Sequence, residues 1–339
     1  MAAHKLVEDE QDGLLYISKE CLSNGCAATA DVSYPSMPMY LLYNPELVNG
    51  MLRPILHYAK SADWPFEFAP HDVGCYPQVN GQVYCAHSDP SHQMPIEECG
   101  NMLVMAAAAV TAGAGTELFA ENRALFAQWA DYLIAHGEDP ADQICTDDFF
   151  RHLAHNCNLG LKAIMGIASM AILLTRTGDS EAAARYRDTA RTMARSWVSR
   201  AAKGDGSFRL AFDQPDTFSL KYNIVWDKLF GTGLFTEQEL ADEFASYHQY
   251  TNRYGTPLDS RGSTSKSDWQ AWTGVLAKDS AEFEAFMTPM WRYFNEMESR
   301  VPMADWYSTK TAKYFYMMHR SVQGGLFIRL LAQEGTCRI

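Results

Sequence analysis

Apolar residues follow two alternating patterns along the chain. One is near-continuous, as in Met102–Val110 and Ile164–Leu174. The other is amphipathic: in Ser180–Arg200, Ala182, Tyr186, Ala190, Met193 and Trp197 recur at helical spacing, with Arg and Asp opposite. Apolar helices are predicted to begin near Met37, Pro95, Asn158, Leu220, Lys266 and Ser321, roughly 50 to 70 residues apart. Half-exposed helices are predicted between most of them, at Glu121–His136, Ser180–Arg200, Glu237–Tyr254 and Ala281–Ser299. Strand signals are confined to Leu14–Ile17 and Phe208–Phe212. Residues 1–36 otherwise read as an irregular lead-in, with a helical turn at Ser18–Leu22 and a loop at Asp31–Pro35. An inner ring of apolar helices inside a ring of half-exposed ones predicts an all-α fold, the (α/α)6 toroid. No low-complexity linker interrupts it, so residues 1–339 are expected to form a single domain.

Polar stretches precede the inner helices, and the toroid would aim them at one central cleft. The densest is Cys145–Asn158, which holds Asp147, Asp148, Arg151, His152, His155, Asn156 and Asn158 and runs directly into an apolar helix. Groups of this kind are costly to bury unless each finds a partner, so they form either a buried network or the lining of a pocket. The other stretches carry His71, Asp72 and Tyr76; Glu97 and Glu98; Lys221, Tyr222, Trp226 and Asp227; Asp259, Arg261 and Asp268; and Asp305, Trp306 and Arg320.

Composition narrows the chemistry. The formal charge is −13 over 339 residues, which argues against nucleic-acid partners. No basic run points to a membrane surface, and the two apolar runs are too short and Ala-rich to span a bilayer. The chain opens on a polar segment rather than a signal peptide. The 8 cysteines show no CxxC pair and are expected to be mostly free thiols, with bridges open only within Cys75/Cys85 or Cys21/Cys26. Free buried thiols fit a reducing compartment.

Several motifs together resemble the glutaminase A family of fungi and bacteria. They are His71-Asp72-x-Gly74-x-Tyr76-Pro77, Met94-Pro95-x-Glu97-Glu98-x-Gly100-Asn101-Met102 and Cys145-Thr146-Asp147-Asp148-Phe149 with His152-Leu-Ala-His155-Asn156. Lys221-Tyr222-Asn223-x-Val225-Trp226-Asp227-Lys228, Pro257-Leu258-Asp259-Ser260-Arg261, Arg300-Val-Pro-Met303-x-Asp305-Trp306-Tyr307 and Arg320-Ser321-Val322-x-Gly324-Gly325 continue the match to about Leu331, in the same order. The resemblance implies a six-hairpin toroid like that of many glycoside hydrolases, upstream β-rich domains that this chain lacks, and export from the cell. Family members tend to carry Thr at Cys75, Ser at Cys99 and Gly at Arg151. Arg151 is therefore expected to add a positive charge beside Asp147 and Asp148.

Hydrolysis of an amide or a glycosidic bond can use one protonated carboxyl and one base. Asp72, Glu97, Glu98, Asp147, Asp148, Asp227 and Asp305 are the candidates for that work. Helix capping and ion pairing would equally explain any single one of them. His71, Tyr76, His155, Lys221, Tyr222, Trp226, Asp259, Arg261, Asp268, Trp306 and Arg320 are candidates for holding substrate. Arg261 or Arg320 could grip a carboxylate, and paired acids an ammonium. The substrate is expected to be a small molecule, glutamine or a saccharide. No cofactor or metal is expected, since His71, His152 and His155 read as satisfied structural histidines. Ser263-Thr-Ser-Lys266 has the spacing of a serine nucleophile and its lysine but falls outside the family pattern. Three functions follow: an amidohydrolase acting on glutamine, a glycoside hydrolase, or a non-catalytic domain completed by an upstream partner.

Overall fold

The computed structural model describes residues 3–10, 13–82, 89–299 and 303–339. The chain opens with an antiparallel hairpin, β1 (His4–Asp9) and β2 (Gly13–Ser18), with Leu6 opposite Tyr16. Helices follow in order: α1 (Ala30–Tyr43), α2 (Glu46–Ala59), α3 (Pro95–Thr111), α4 (Glu117–Glu121), α5 (Arg123–His136), α6 (Cys157–Arg176) and α7 (Ser180–Ala201). A 3-10 turn at Tyr222–Ile224 leads into α8 (Val225–Phe230), and α9 (Glu237–Ser246) comes next. A short strand, β3 (Thr264–Lys266), precedes α10 (Ser267–Thr273) and α11 (Ser280–Glu296), and pairs with β4 (Trp306–Ser308). The 3-10 stretch Ser321–Phe327 runs into α12 (Ile328–Glu334).

The inner elements close a ring. α1 packs on α3, α3 on α6, α6 on the Tyr222 turn, that turn on α10, and α10 on Ser321–Phe327, which returns to α1. Closure depends on the absence of side chains at the seam. A Cβ on Gly324 would stand 2.3 Å from the Ser36 carbonyl oxygen, and one on Gly325 2.7 Å from that of Pro35. Helices α2, α5, α7, α9 and α11 lie outside, each following an inner element. Five of the six inner elements begin near their predicted starts, the first begins at Ala30 rather than near Met37, and all four predicted outer helices are present among the described residues, as expected for the toroid.

Helix α6 shows why the ring holds. Every residue from Cys157 to Leu174 is buried against α3, α5 and α7. By length and composition it could cross a membrane, and it is longer than the apolar run suggested; here α3, α5 and α7 cover that surface. Burying one such Leu or Ile side chain is worth about 1.5–3 kcal/mol.

The lead-in differs from expectation in three places. Residues 1–36 are not irregular, because β2 packs its Tyr16 edge onto α2, where Gly50 leaves only 3.1 Å for a Cβ. Ser18–Leu22 is not a helical turn. Its backbone continues the extended pairing instead, through the Lys19–Ala27 and Leu22–Met318 bridges. Asp31–Pro35 is not a loop. Pro35 and Pro38 lie inside α1, where burial of Val32, Tyr34, Met37 and Leu41 outweighs the lost backbone donors. Residues Phe208–Phe212 form isolated bridges, to Ala202 and Asn156, rather than a strand.

Candidate active site

Asn156 sets the geometry of the polar stretch before α6. Its side chain accepts from the Asn158 and Leu159 amides and so caps the helix. The chain before it is therefore free to turn Asp147 inward. Asp147 is buried, and its Oδ2 accepts from Tyr222 Oη at 2.8 Å, while its Oδ1 accepts no hydrogen bond. Burial pushes its carboxyl up to about 7, against the Tyr222 hydrogen bond and the Arg261 charge. Arg261 grips Asp259 through Nε and Nη2 at 3.1 and 2.6 Å. A gap of about 10 Å³, the room of one water, lies among Asp147, Asn156, Asn158, Tyr222, Asp259 and Arg261.

Two further carboxylate groups flank this gap. Lys162 of α6 is wholly buried, 2.9 Å from Glu97 Oε1 and 3.3 Å above the Tyr34 ring. It also donates to Asn101, whose Nδ2 donates to Glu98 Oε2 at 3.0 Å. The stem of Lys162 fits because α3 has Gly100 there; a Cβ would come within 2.4 Å of it. Burial and the nearby Asp31 push Glu98 well above the usual carboxyl range. On the other side, Tyr222 stacks on Trp269 at 4.0 Å, next to Asp268. Burial raises Asp268 to about 6, against Lys266 at 3.9 Å and helped by Asp305, which holds Lys266 at 2.8 Å. The charges of Asp305, Glu20, Asp31 and Asp268 all act on buried Arg320. One continuous buried field thus joins His71, Asp72, Glu97, Glu98, Asp147, Asp259, Arg261, Asp268, Asp305 and Arg320.

Other candidates lie elsewhere. Asp227 accepts from Thr232 Oγ1, the Leu234 amide at 2.8 Å and the Phe235 amide at 3.3 Å, so it ties the turn after α8. Lys221 faces Glu243 of α9 at 3.5 Å and donates to the Ser219 carbonyl. Trp226 is core, packed on Phe230 and Trp272. His155 is exposed and paired with Asp139 at 2.8 Å, and Tyr76 is exposed beneath Lys19. His152 contacts Asp142, and the stretch carrying both histidines is not helical. Asp148 begins the short turn Asp148–Phe150 and is half-buried. Trp306 stacks between Phe149 and Phe315. Arg151 is exposed instead of lying over Asp147. Lys266 of the Ser263–Lys266 stretch is taken by Asp305. Cys21, Cys26 and Cys75 are free thiols, and Cys85 lies outside the described residues. A concavity of about 570 Å³ between Tyr132, His136, Asp139 and Arg200 is a surface cleft away from the buried charges.

Glu20, Asp31, Lys162 and Lys266 also belong to this field and were not among the carboxyl or substrate-holding candidates. For Lys162, a single Lys inside the apolar run of α6 was the available signal, since an unpaired buried ammonium is too costly to keep.

Residues 1–330 match the family model of the glutaminase A six helical-hairpin domain. The chain belongs to the glutaminase A family. Glutaminase A of Aspergillus oryzae (strain ATCC 42149 / RIB 40) is 31% identical over 97% of this chain and 48% of its own length. A probable glutaminase of Arthroderma benhamiae (strain ATCC MYA-4681 / CBS 112371) is 25% identical over 96% of this chain and 47% of its own. The chain thus spans about half the length of these curated relatives. In structure it is similar to a bacterial glucoamylase complexed with acarbose, with TM-score 0.63, 10% identity, and coverage of 91% of this chain and 49% of that one. It is also similar to a GH63 mannosylglycerate hydrolase from Thermus thermophilus in complex with glucose, with TM-score 0.56, 8% identity, and coverage of 90% and 92%. At those identities the likeness shows the shared six-hairpin fold. Family membership and fold together make this a glutaminase A homologue on a glycosidase-type toroid.

Proposed function

We propose that this domain hydrolyses the side-chain amide of glutamine to glutamate and ammonia at the Asp147 gap. The carrying observation is a buried carboxyl near neutrality, with one oxygen unbonded, on a water-sized polar gap. Family membership supports the amide substrate. In the ionised state Asp147 takes a proton from water in the gap, and the resulting hydroxide attacks the amide carbon. The proton then passes to the departing nitrogen, so that water and glutamine become glutamate and ammonia. Arg261, beside the gap, suits the substrate carboxylate, and Asp259 its ammonium. The gap has room for about one water, so substrate entry requires the Phe149–Phe150 turn and its Trp306 and Arg261 contacts to open.

The test is enzyme-coupled ammonia release from glutamine, run beside an oligosaccharide panel with reducing-sugar detection. Ammonia release that vanishes in folded Asp147→Asn supports the reading. Sugar release with no ammonia, or activity unchanged in that variant, overturns it.

A further inference from the structure

A second cluster stands where the N-terminal segment meets the inner ring. Glu20 follows β2, Asp31 lies in the first turn of α1, and His71 and Asp72 lie between α2 and α3. They are 3%, 8%, 2% and 0% exposed. Asp72 Oδ2 is 2.9 Å from His71 Nδ1, and Asp72 Oδ1 accepts from the Gly74 amide at 2.9 Å. Both contacts fix the imidazole so that Nε2 faces Asp31 Oδ1 at 3.4 Å. That Asp31 oxygen is buried and accepts no hydrogen bond. One ligand atom each from Glu20, Asp31 and His71 lies within 4.8 Å of the other two.

We propose that Glu20, Asp31 and His71 bind a divalent transition-metal cation, with Asp72 orienting His71 from behind. A carboxylate on the far imidazole nitrogen sets the tautomer and ring angle of a metal-binding histidine. One nitrogen and two carboxylates suit Zn²⁺ or Mn²⁺, whereas Ca²⁺ seeks about six to eight oxygens. Charge complementarity agrees. Glu20, Asp31 and Asp72 bring three carboxylates to His71, with the Arg320 guanidinium 4.0 Å from Glu20, so the cluster suits a cation. The cation would join β2, α1 and the loop before α3 at one point, and its binding does not depend on the function proposed for Asp147.

The chain is stripped with chelator and titrated with ZnCl₂ or MnCl₂ by calorimetry, with CaCl₂ as control. One equivalent of Zn²⁺ or Mn²⁺ is expected, and no stoichiometric Ca²⁺ binding. Glu20→Gln should weaken binding at least tenfold, and Asp72→Asn about tenfold through the lost orientation, with circular dichroism unchanged. His92→Ala should leave binding intact, since His92 and His152 form a separate surface pair with rings 6.3 Å apart. If Glu20→Gln unfolds, Asp72→Asn carries the comparison. Absence of stoichiometric binding, binding unchanged in a folded Glu20→Gln or Asp72→Asn, or binding lost in His92→Ala overturns the proposal.

Discussion

Asp147 and Asp227 are both buried aspartates within family motifs, yet they sit near opposite ends of α6. Asp147 lies by Asn158 at its start, and Thr232, which bonds Asp227, lines a groove with Ile172 and Thr175 near its end. Three donors answer Asp227, which leaves it nothing to do but hold a turn. Asp147 has one oxygen answered and one buried without a hydrogen bond, and the residue lines a small polar gap. Burial alone therefore does not mark a reacting group; a buried carboxyl with an unanswered oxygen, at the edge of a polar gap, is the better candidate.

The largest effect that sharpens this contrast is on turnover. Asp147→Asn is expected to lower kcat by about 10³-fold, roughly 4 kcal/mol of barrier, with the melting temperature nearly unchanged. A kcat within tenfold of the parent chain would end the contrast. Next comes Lys162→Met, which strands Glu97 in the core and should cost about 3–5 kcal/mol in denaturant unfolding. Adding Glu97→Gln should return much of that loss, since both members of the pair are then gone; no recovery would show that the Lys162 stem, packed on Gly100, matters more than its charge. Asp227→Asn comes third. It turns an amide NH₂ toward donors and should cost about 1–3 kcal/mol of stability while sparing kcat. A turnover defect there, in folded protein, would place Asp227 with Asp147.

The pH dependence separates the two aspartates further. Asp147 has a folded-state value near 7, above that of an unfolded aspartate at about 3.9. The native state then binds the extra proton, so this group's contribution to stability falls as pH rises from about 4 to 7 and levels off beyond. Asp147→Asn removes that slope. Chemical denaturation at pH 4.5 and pH 8 should therefore show the variant gaining on the parent chain at the higher pH. An equal difference at both would mean that Asp147 is ionised throughout. If ionised Asp147 is the base, turnover falls as pH drops below about 7.

The inner and outer helices were legible because their periodicity repeats around the ring. The lead-in was not legible. Pro35 signals a break, and only tertiary burial of Tyr34 and Met37 carries α1 through it. In the site, residue type and motif brought out the acids, but not how each is used. Asp227 and Asp147 look alike in a sequence, and only the Thr232, Leu234 and Phe235 donors tell them apart. His155 and Tyr76 sit in matching motifs yet face solvent. Lys162 was hidden by the apolar helix that surrounds it, although that very setting requires a partner.

Arg151 gives the smallest and most local test. It was expected to crowd Asp147 with charge, but its side chain is exposed, and what stands out is its backbone, at φ 66° and ψ −164°. That region is close to glycine-only, and a larger residue held there costs on the order of 1–3 kcal/mol. Glycine, the residue the family tends to carry at this position, relieves the strain while giving back about 0.5–1 kcal/mol through the freer unfolded chain. Arg151→Gly should therefore stabilise by about 1 kcal/mol. It should also leave kcat/KM for the accepted substrate unchanged, because the Arg151 amide still donates to the Asp148 carbonyl at 2.7 Å and Asp147 keeps its burial. A drop in stability would mean that the guanidinium makes a compensating contact. A shift in kcat/KM would show that its charge reaches Asp147 from the surface.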